Sequence, residues 1–311
     1  MHGHEEEVLR PPRFSIVITF HNQRRFINEA LDSALSQGNK DCEVIGVDDA
    51  SSDGSQDILK QYSESIRLVC LEKNVGACAA RNRGAALAAG EYLIFLDGDD
   101  AFLPWALKIY DQNVNAKKPK MILASMRWFE GTMPPAGETP REISMVEYQD
   151  YFRRDRGFGH SASAFIIDRR AFQEVHGWLE GFFPLEDVEL ALRLGVAGRT
   201  IQILYPPTVH HRAHAHNSIN NILPFLPALE TVFEEERQGG YPGGKKRQFQ
   251  RRALLGGIAL HWIRRAAKAR LRKQAAKLFI HSSPMLLAAA MRRIGILLKG
   301  RQPRETIKTI D

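Results

Sequence analysis

Three carboxylates crowd one short stretch of this 311-residue chain. In EYLIFLDGDDAFLP, residues 91–104, Asp97, Asp99 and Asp100 follow the apolar, β-favouring run Tyr92 to Leu96, which reads as a buried strand. Like charges this close repel, and burying them costs more unless a cation or hydrogen-bond donors compensate. A hard divalent ion bridging to phosphate oxygens would do so, since Mg2+ is commonly held by one or two carboxylates plus substrate phosphates. The same residues also suit an Asp/Gly turn running into a helix N-cap before Leu103-Pro104. A second pair, Asp48-Asp49, ends the short apolar run Cys42 to Val47, and a third, Glu186-Asp187, opens a predicted helix. Carboxylates there suit the positive end of a helix dipole as well as acid–base chemistry. His210, His211, His214 and His216 cluster around Arg212, with no zinc-type spacing and no partner cysteines.

The elements that must position these groups alternate in type. FSIVITF (14–20) reads as a first strand, Arg24 to Gln37 as an amphipathic helix, and Cys42 to Val47 as a second strand. A helix over Ser55 to Tyr62, a strand over Ile66 to Leu71, and an Ala-rich helix from Gly76 to Ala89 precede the strand that ends at Asp97. Such β-α-β alternation predicts a doubly wound, mostly parallel sheet with ligands at the carboxyl ends of its strands. Further on, the pattern predicts a helix over Leu103 to Asn113, a strand over Met121 to Ser125, and a surface loop over 131–141. It then predicts a strand within Phe158 to Asp168, short helices over Arg169 to Val175 and Asp187 to Leu194, and a last strand over Ile201 to Tyr205. A Gly-rich break at 237–244 separates this part from a helical, basic, Leu/Ala-rich remainder.

Hydrophobic content of 44% and charged content of 25% are ordinary for a globular chain able to bury a core. Three cysteines without metal-type spacing and a polar, acidic start lead us to expect a reducing, cytoplasmic setting and no signal peptide. No run reaches the ~18 apolar residues that a membrane span needs. The net charge of +7 conceals an asymmetry. Residues 245–311 hold 18 Lys and Arg against two acids, leaving 25 basic against 34 acidic residues in the first 244.

Five segments together resemble the family 2 glycosyltransferases of the GT-A fold: SIVITFHN (15–22), VIGVDDASSDGS (44–55), NVGACAARNRG (74–84), FLDGDD (95–100) and LEDVELALRL (185–194). They fall in the family's order and spacing across residues 14–220, with Phe20 the one departure noted. The resemblance implies a GT-A domain over 14–222, between an acidic tail (1–13) and a basic helical region (223–311). It implies inverting hexosyl or N-acetylhexosaminyl transfer from a nucleotide sugar, with UDP the expected nucleotide, assisted by Mn2+ or Mg2+. Thr19, Asp48, Asp49 and Arg81 would contact the nucleotide. Asp97 would touch ribose and the metal shell, and Asp99 would ligate the metal on the diphosphate. Asp187 would be the general base, with Glu186 and Arg193 positioning. The R-x-H element Arg212-Ala213-His214 would meet the diphosphate or the metal, and Gly159-His160-Ser161 would begin the acceptor-side wall. The acceptor expected is a glycan or lipid-linked precursor of the cell envelope.

The basic end fits amphipathic helices on an anionic membrane surface, such as the inner face of the plasma membrane, and equally a helical annex packed on the acidic body. No nucleic-acid motif accompanies the charge, and no nucleic-acid partner is expected. Two other classes stay open. A nucleotidyltransferase shares such a sheet but normally brings a Gly-rich phosphate loop with Lys, which is absent here. A non-catalytic nucleotide-sugar-binding or membrane-scaffold protein would keep the fold without needing Asp97, Asp99 and Asp187.

Overall fold

The computed structural model describes residues 11–38, 41–157, 159, 161–215, 217–299 and 305–310. Most of the acidic tail, His160 and His216 therefore lie outside the described residues. The chain begins with β1 (Phe14–Phe20), α1 (Ile27–Leu35), β2 (Cys42–Asp48), α2 (Ser55–Lys60), β3 (Arg67–Cys70), α3 (Ala77–Leu87) and β4 (Tyr92–Asp97). β1 is apolar throughout because both its faces are covered. Ile16 and Ile18 pack with Ile27, Ala30 and Leu31 of α1, whereas Val17 packs on the opposite side with Cys78 and Ala80 of α3. β4 divides likewise, Ile94 and Leu96 facing the first side and Leu93 and Phe95 the second. The Ala-rich composition of α3 reflects how closely it lies on the sheet: a Cβ on Gly84 would sit 3.0 Å from Val47 Cγ2 and closer still to Val17.

The second half contributes β5 (Ala101–Phe102), α4 (Ala106–Lys117), β6 (Met121–Leu123), β7 (Met126–Glu130), β8 (Glu142–Tyr148), β9 (Phe165–Asp168), α5 (Arg169–Glu174) and α6 (Glu186–Arg193). There follow β10 (Thr200–Tyr205), β11 (Val209–Ala213), α7 (Phe225–Gln238), α8 (Gly244–Lys268), α9 (Arg272–His281), α10 (Ser283–Lys299) and β12 (Thr306–Thr309). The large sheet has the order β12-β8-β10-β6-β9-β4-β1-β2-β3. Seven of its nine strands run one way and only β8 and β9 oppose them, which makes it the mostly parallel, doubly wound GT-A sheet that the sequence predicts. A small second sheet, β5-β11-β7, grows from the turn that follows β4.

That small sheet departs from the expectation. The strand over Ile201 to Tyr205 is not the last: Val209–Ala213, within the histidine-rich run, forms β11, and the helix expected from Leu103 starts at Ala106, behind β5. Alternation hides β11 because its buried His210 and Arg212 are polar. Strand β12 was also unforeseen: it pairs antiparallel with β8, Ile307 opposite Ser144.

The basic helices pack on the α3 and α6 side of the sheet. Leu229, Phe233, Leu255, Ala259, Trp262 and Leu278 belong to one continuous core cluster with Val17, Phe95 and Trp178. Phe225 of α7 stacks on Trp262 of α8, centroids 4.0 Å apart. Arg251 of α8 and Glu236 of α7 form an ion pair with both side chains at most 1% exposed, and Arg251 also donates to the carbonyls of Pro242 (2.8 Å) and Gly244 (3.0 Å). Those bonds close the Gly-rich turn between α7 and α8. Glycine is required at Gly256, where a Cβ would meet the Met285 carbonyl carbon of α10 at 2.6 Å. No helix among the described residues is long and apolar enough to cross a membrane.

Candidate active site

β4 delivers Asp97 to the middle of the large sheet, between β1 and β9. The turn after it is fastened to its neighbours: Gly98 N–H donates to the Thr19 carbonyl (2.9 Å) and Asp100 N–H to that of Asp97 (2.9 Å). Glycine is needed at Gly98, since a Cβ would sit 2.6 Å from Phe20 Cβ. The three carboxylates then meet different fates. Asp100 is buried and accepts from Ser163 Oγ (2.6 Å), His211 Nδ1 (2.9 Å) and the Arg212 amide (3.1 Å). Three donors satisfy it, so it anchors the turn. Asp97 accepts only from Arg81 Nη2 (2.7 Å) among the described side chains and keeps 26% of its side chain exposed. Asp99 lies 2.7 Å from His214 Nε2 with 12% of its side chain exposed. Burial, and then the neighbouring charges of Asp100 and Asp97, push its carboxyl up to about 6 against the pull of His214.

Arg81 joins this turn to the acidic start of α6. Its guanidinium is buried, donates to Asp97 and, through Nη1, to Glu186 Oε1 (3.1 Å), and lies 5.0 Å from the ring centroid of Trp178. Burial pulls Arg81 down, but Asp97 and then Glu186 more than offset it, so the group stays charged. Glu186 itself is pushed up by burial, which outweighs the pull of Arg81. α6 begins abruptly because Leu185 takes a left-handed backbone, φ 78°. Asp187, one residue in, accepts from the Val188 amide at 2.6 Å. The residue as a whole is half-buried, and protein crowds its carboxylate. Burial first, then the Glu186 charge, raise it to about 7. A carboxyl group poised near neutrality has one property that a general base needs. Arg193 lies further along the helix, gripping Glu189 at 2.6 and 2.7 Å.

The remaining residues singled out from sequence surround this axis. Asp48 is fully buried and accepts from the Ser51 amide (3.0 Å) and Gln56 Nε2 (2.6 Å). Asp49 accepts from the amides of Val75 (2.7 Å) and Gly76 (2.9 Å), tying the end of β2 to the start of α3. Each carboxylate oxygen retains a further lone pair. Thr19 is buried at the end of β1, its carbonyl taken by Gly98. Arg212 is enclosed: it donates to the Asp99 carbonyl (3.1 Å), the Gly131 carbonyl (2.6 Å) and Glu29 of α1. Its guanidinium lies between the rings of Phe26 and Phe129, 4.5 and 4.6 Å from their centroids. In this arrangement Arg212 grips the backbone of the turn. His214 stacks on Phe26, centroids 5.4 Å apart, and so is aimed at Asp99.

Sequence reasoning passed over Ser163, which donates to Asp100 and accepts from the Asp97 amide at 3.0 Å, holding both ends of the turn. Its signal was a hydroxyl inside the apolar run ASAFII. Trp178 and Glu29 were missed too, the first because a lone Trp reads as core, the second because nothing local links α1 to β11. Among the described residues no group of three or more His, Cys, Asp or Glu is arranged to hold a metal ion. A full protein cage is not what such chemistry needs. Two carboxylates that keep some exposure, Asp97 and Asp99, the second raised to about 6 by burial and then by the charges of Asp100 and Asp97, fit an ion completed by phosphate oxygens and water.

The family model of Glycosyl transferase family 2 matches residues 15–175, and the chain belongs to that family. A relative from Escherichia coli, the UDP-Glc:alpha-D-GlcNAc-diphosphoundecaprenol beta-1,3-glucosyltransferase WfaP, is 41% identical over 212 residues, which is 65% of this chain and 77% of WfaP. Four other curated relatives are matched over only 24% to 36% of their own lengths. Among solved structures, S. aureus TarS 1-349 in complex with UDP-GlcNAc superposes with a TM-score of 0.69 at 17% identity, covering 89% of this chain and 81% of that one. The mannosyltransferase PcManGT from Pyrobaculum calidifontis, in complex with GDP-Man and Mn2+, gives 0.58 at 16% identity, covering 91% and 87%. At these identities the likeness establishes the GT-A fold.

Proposed function

We propose that this chain transfers a hexosyl or N-acetylhexosaminyl unit from a UDP-sugar to a hydroxyl of a lipid-linked glycan, inverting the anomeric carbon. The observation that carries the reading is the Arg81 bridge, which places the Asp97 turn and the Glu186-Asp187 pair at two sides of one buried guanidinium. A donor side and an acceptor side are thereby set in register. Asp187, raised to about 7, takes the acceptor proton as that oxygen attacks the sugar from the face opposite the leaving group. Glu186 and Arg81 orient it. Asp48, Asp49 and Thr19, at the carboxyl ends of β1 and β2, hold the base and ribose, where open α/β sheets bind ligands. Asp97 and Asp99 would hold a Mg2+ or Mn2+ ion, which supplies positive charge to the departing diphosphate. His214 orients Asp99, and Arg212 fixes the turn from behind.

The donor and metal complexes named for TarS and PcManGT support a nucleotide sugar and a divalent ion. The acceptor named for WfaP, a sugar on diphosphoundecaprenol, supports a lipid-linked acceptor; cell-envelope synthesis at the cytoplasmic face of a membrane is part of the same proposal. The test is a panel of UDP- and GDP-sugars with Mn2+ or Mg2+, scored for hydrolysis and for transfer to a diphosphoundecaprenol-linked sugar. Metal-dependent turnover of one UDP-sugar is the expected result. Turnover unaffected by EDTA, or none with any donor, would remove the proposal.

A further inference from the structure

The basic C-terminal helices cover the sheet with one face and leave another bare. On α10, Leu287, Met291, Ile294 and Leu298 recur at intervals of four, three and four residues, a single helical stripe. These four and the adjoining Leu297 are between 56% and 82% exposed. The opposite face is committed: Met285 and Ala288 are buried, and Gly256 of α8 abuts the Met285 backbone. Phe279 and Ile280, at the end of α9, are exposed as well. So many large apolar side chains in one region are costly to leave in water.

Charge indicates the occupant. Between Gly244 and Lys299 there are 15 Lys and Arg and not one Asp or Glu. Arg293 stands exposed on α10 among the apolar residues. Two copies meeting through this face would bring like charges together. An anionic lipid surface would accept both components, apolar side chains at the acyl boundary and cations among the headgroups. We propose that the exposed face of α10, with Phe279 and Ile280, docks this protein on an anionic bilayer. The helix is not a loose tail. It packs along α8, and the chain beyond it returns to the sheet as β12 on β8, so docking would hold the whole catalytic body at a fixed attitude to the membrane. The inference rests on the reading that the acceptor is lipid-linked.

The test is vesicle cosedimentation of the full chain, on phosphatidylcholine alone and on phosphatidylcholine with one-third phosphatidylglycerol. Binding is expected on the anionic vesicles only and should weaken as salt rises, because exposed charges are screened beyond ~8–10 Å at 0.1–0.15 M. The triple variant M291S/I294S/L298S should bind those vesicles about tenfold more weakly or worse. R293E should weaken it about fivefold or more, since each cation near the surface contributes on the order of 1 kcal/mol. The side chains are exposed, so circular dichroism and melting of both variants should match the parent, as should their hydrolysis of the UDP-sugar in solution. Equal binding to neutral vesicles, no binding at all, or undiminished binding by the triple variant would overturn the proposal. So would a concentration-dependent dimer that the triple variant abolishes, which would make the stripe a contact between copies. Vesicle binding by a chain that turns over no nucleotide sugar would leave the docking face standing and remove the proposed activity instead.

Discussion

Replacing Arg81 by Gln isolates the interaction on which the site turns. The guanidinium is 4% exposed and bonds Asp97 at 2.7 Å and Glu186 at 3.1 Å, so its loss leaves two carboxylates facing each other in a poorly solvated space. Breaking a buried pair by removing one partner costs about 3–5 kcal/mol, far more than the ~0–1 kcal/mol of a surface pair. Glutamine restores some hydrogen bonding but no charge, so the lower half of that range, about 3–4 kcal/mol, is expected at pH 8 in EDTA. At roughly 2–3 °C per kcal/mol for a chain of this size, melting should fall by roughly 6–12 °C. The pH dependence follows from the sign of the shifts. Glu186, Asp99 and Asp187 all have folded-state values above their ordinary ones, the last two at about 6 and about 7. The native state therefore binds more protons across the window from the ordinary carboxylate range to about 7, and stability falls as pH rises through it. Removing Arg81 raises the carboxylates further, so the variant should lie much closer to the parent at pH 5.5 than at pH 8. Differential scanning calorimetry of both proteins at the two pH values is the assay. A loss under 1 kcal/mol, or one equal at both pH values, would refute the buried-bridge account.

Four further outcomes follow from the same geometry. Asp187→Asn keeps the shape but cannot accept a proton, so kcat should fall by on the order of 10²–10⁴ while calorimetric affinity for UDP stays unchanged; near-full transfer would place the base elsewhere. In the parent, kcat should rise with pH towards a plateau above about 7, as the raised Asp187 ionises, and a flat profile from pH 5.5 to 8.5 would contradict that assignment. Asp99→Ala should abolish metal-dependent UDP binding in calorimetry, because Asp97 alone offers one partly engaged carboxylate and Asp100 is already satisfied by three donors. Gly98→Ala should destabilise by about 1–3 kcal/mol through its clash with Phe20, visible as a lower urea midpoint.

The first half of the fold was legible because each strand is an apolar run closed by a turn signal, and each helix shows its face: Ile27, Ala30, Leu31 and Ala34 of α1 are all buried, at helical spacing. The acidic positions were legible for the same reason, lying where runs end. What escaped was everything held by polar contacts across long separations. β11 buries His210 and Arg212, which no hydrophobic pattern marks as a strand, and its partners β5 and β7 lie more than 75 residues earlier. Nor could spacing divide the labour of Asp97, Asp99 and Asp100. That depends on Ser163 and His211, which reach Asp100 from 63 and 111 residues away. The basic region offered two readings, annex and membrane surface, because composition alone does not say which face is covered. α8 and α10 bury one face against the body, as the annex reading has it, and expose the other, which is the face that the docking proposal concerns.

Charge balance around Arg81 argues for the state in which a donor can enter. Asp97, Asp99, Asp100, Glu186 and Asp187 are five carboxylates in one neighbourhood, whereas two arginines, Arg81 and Arg212, contact that turn among the described residues. Arg212 is already matched by Glu29, which leaves Arg81 to face both Asp97 and Glu186. Burial first, and then the charges of neighbouring carboxylates, raise Asp99 to about 6 and Asp187 to about 7. A UDP-sugar brings two more negative charges to the same turn. Its diphosphate would be repelled unless positive charge arrives with it, and among the described residues Arg81 and Arg212 are already engaged by Asp97, Glu186 and Glu29. In the proposed mechanism a divalent ion held by Asp97 and Asp99 would lower two costs at once: it would favour ionised Asp99, and it would offset the charge of the diphosphate. Positive charge at Asp97 would compete for the carboxylate that Arg81 holds alongside Glu186. Under that proposal donor loading would be linked, through the guanidinium that contacts both Asp97 and Glu186, to the acidic pair in which Asp187 is assigned the acceptor's proton.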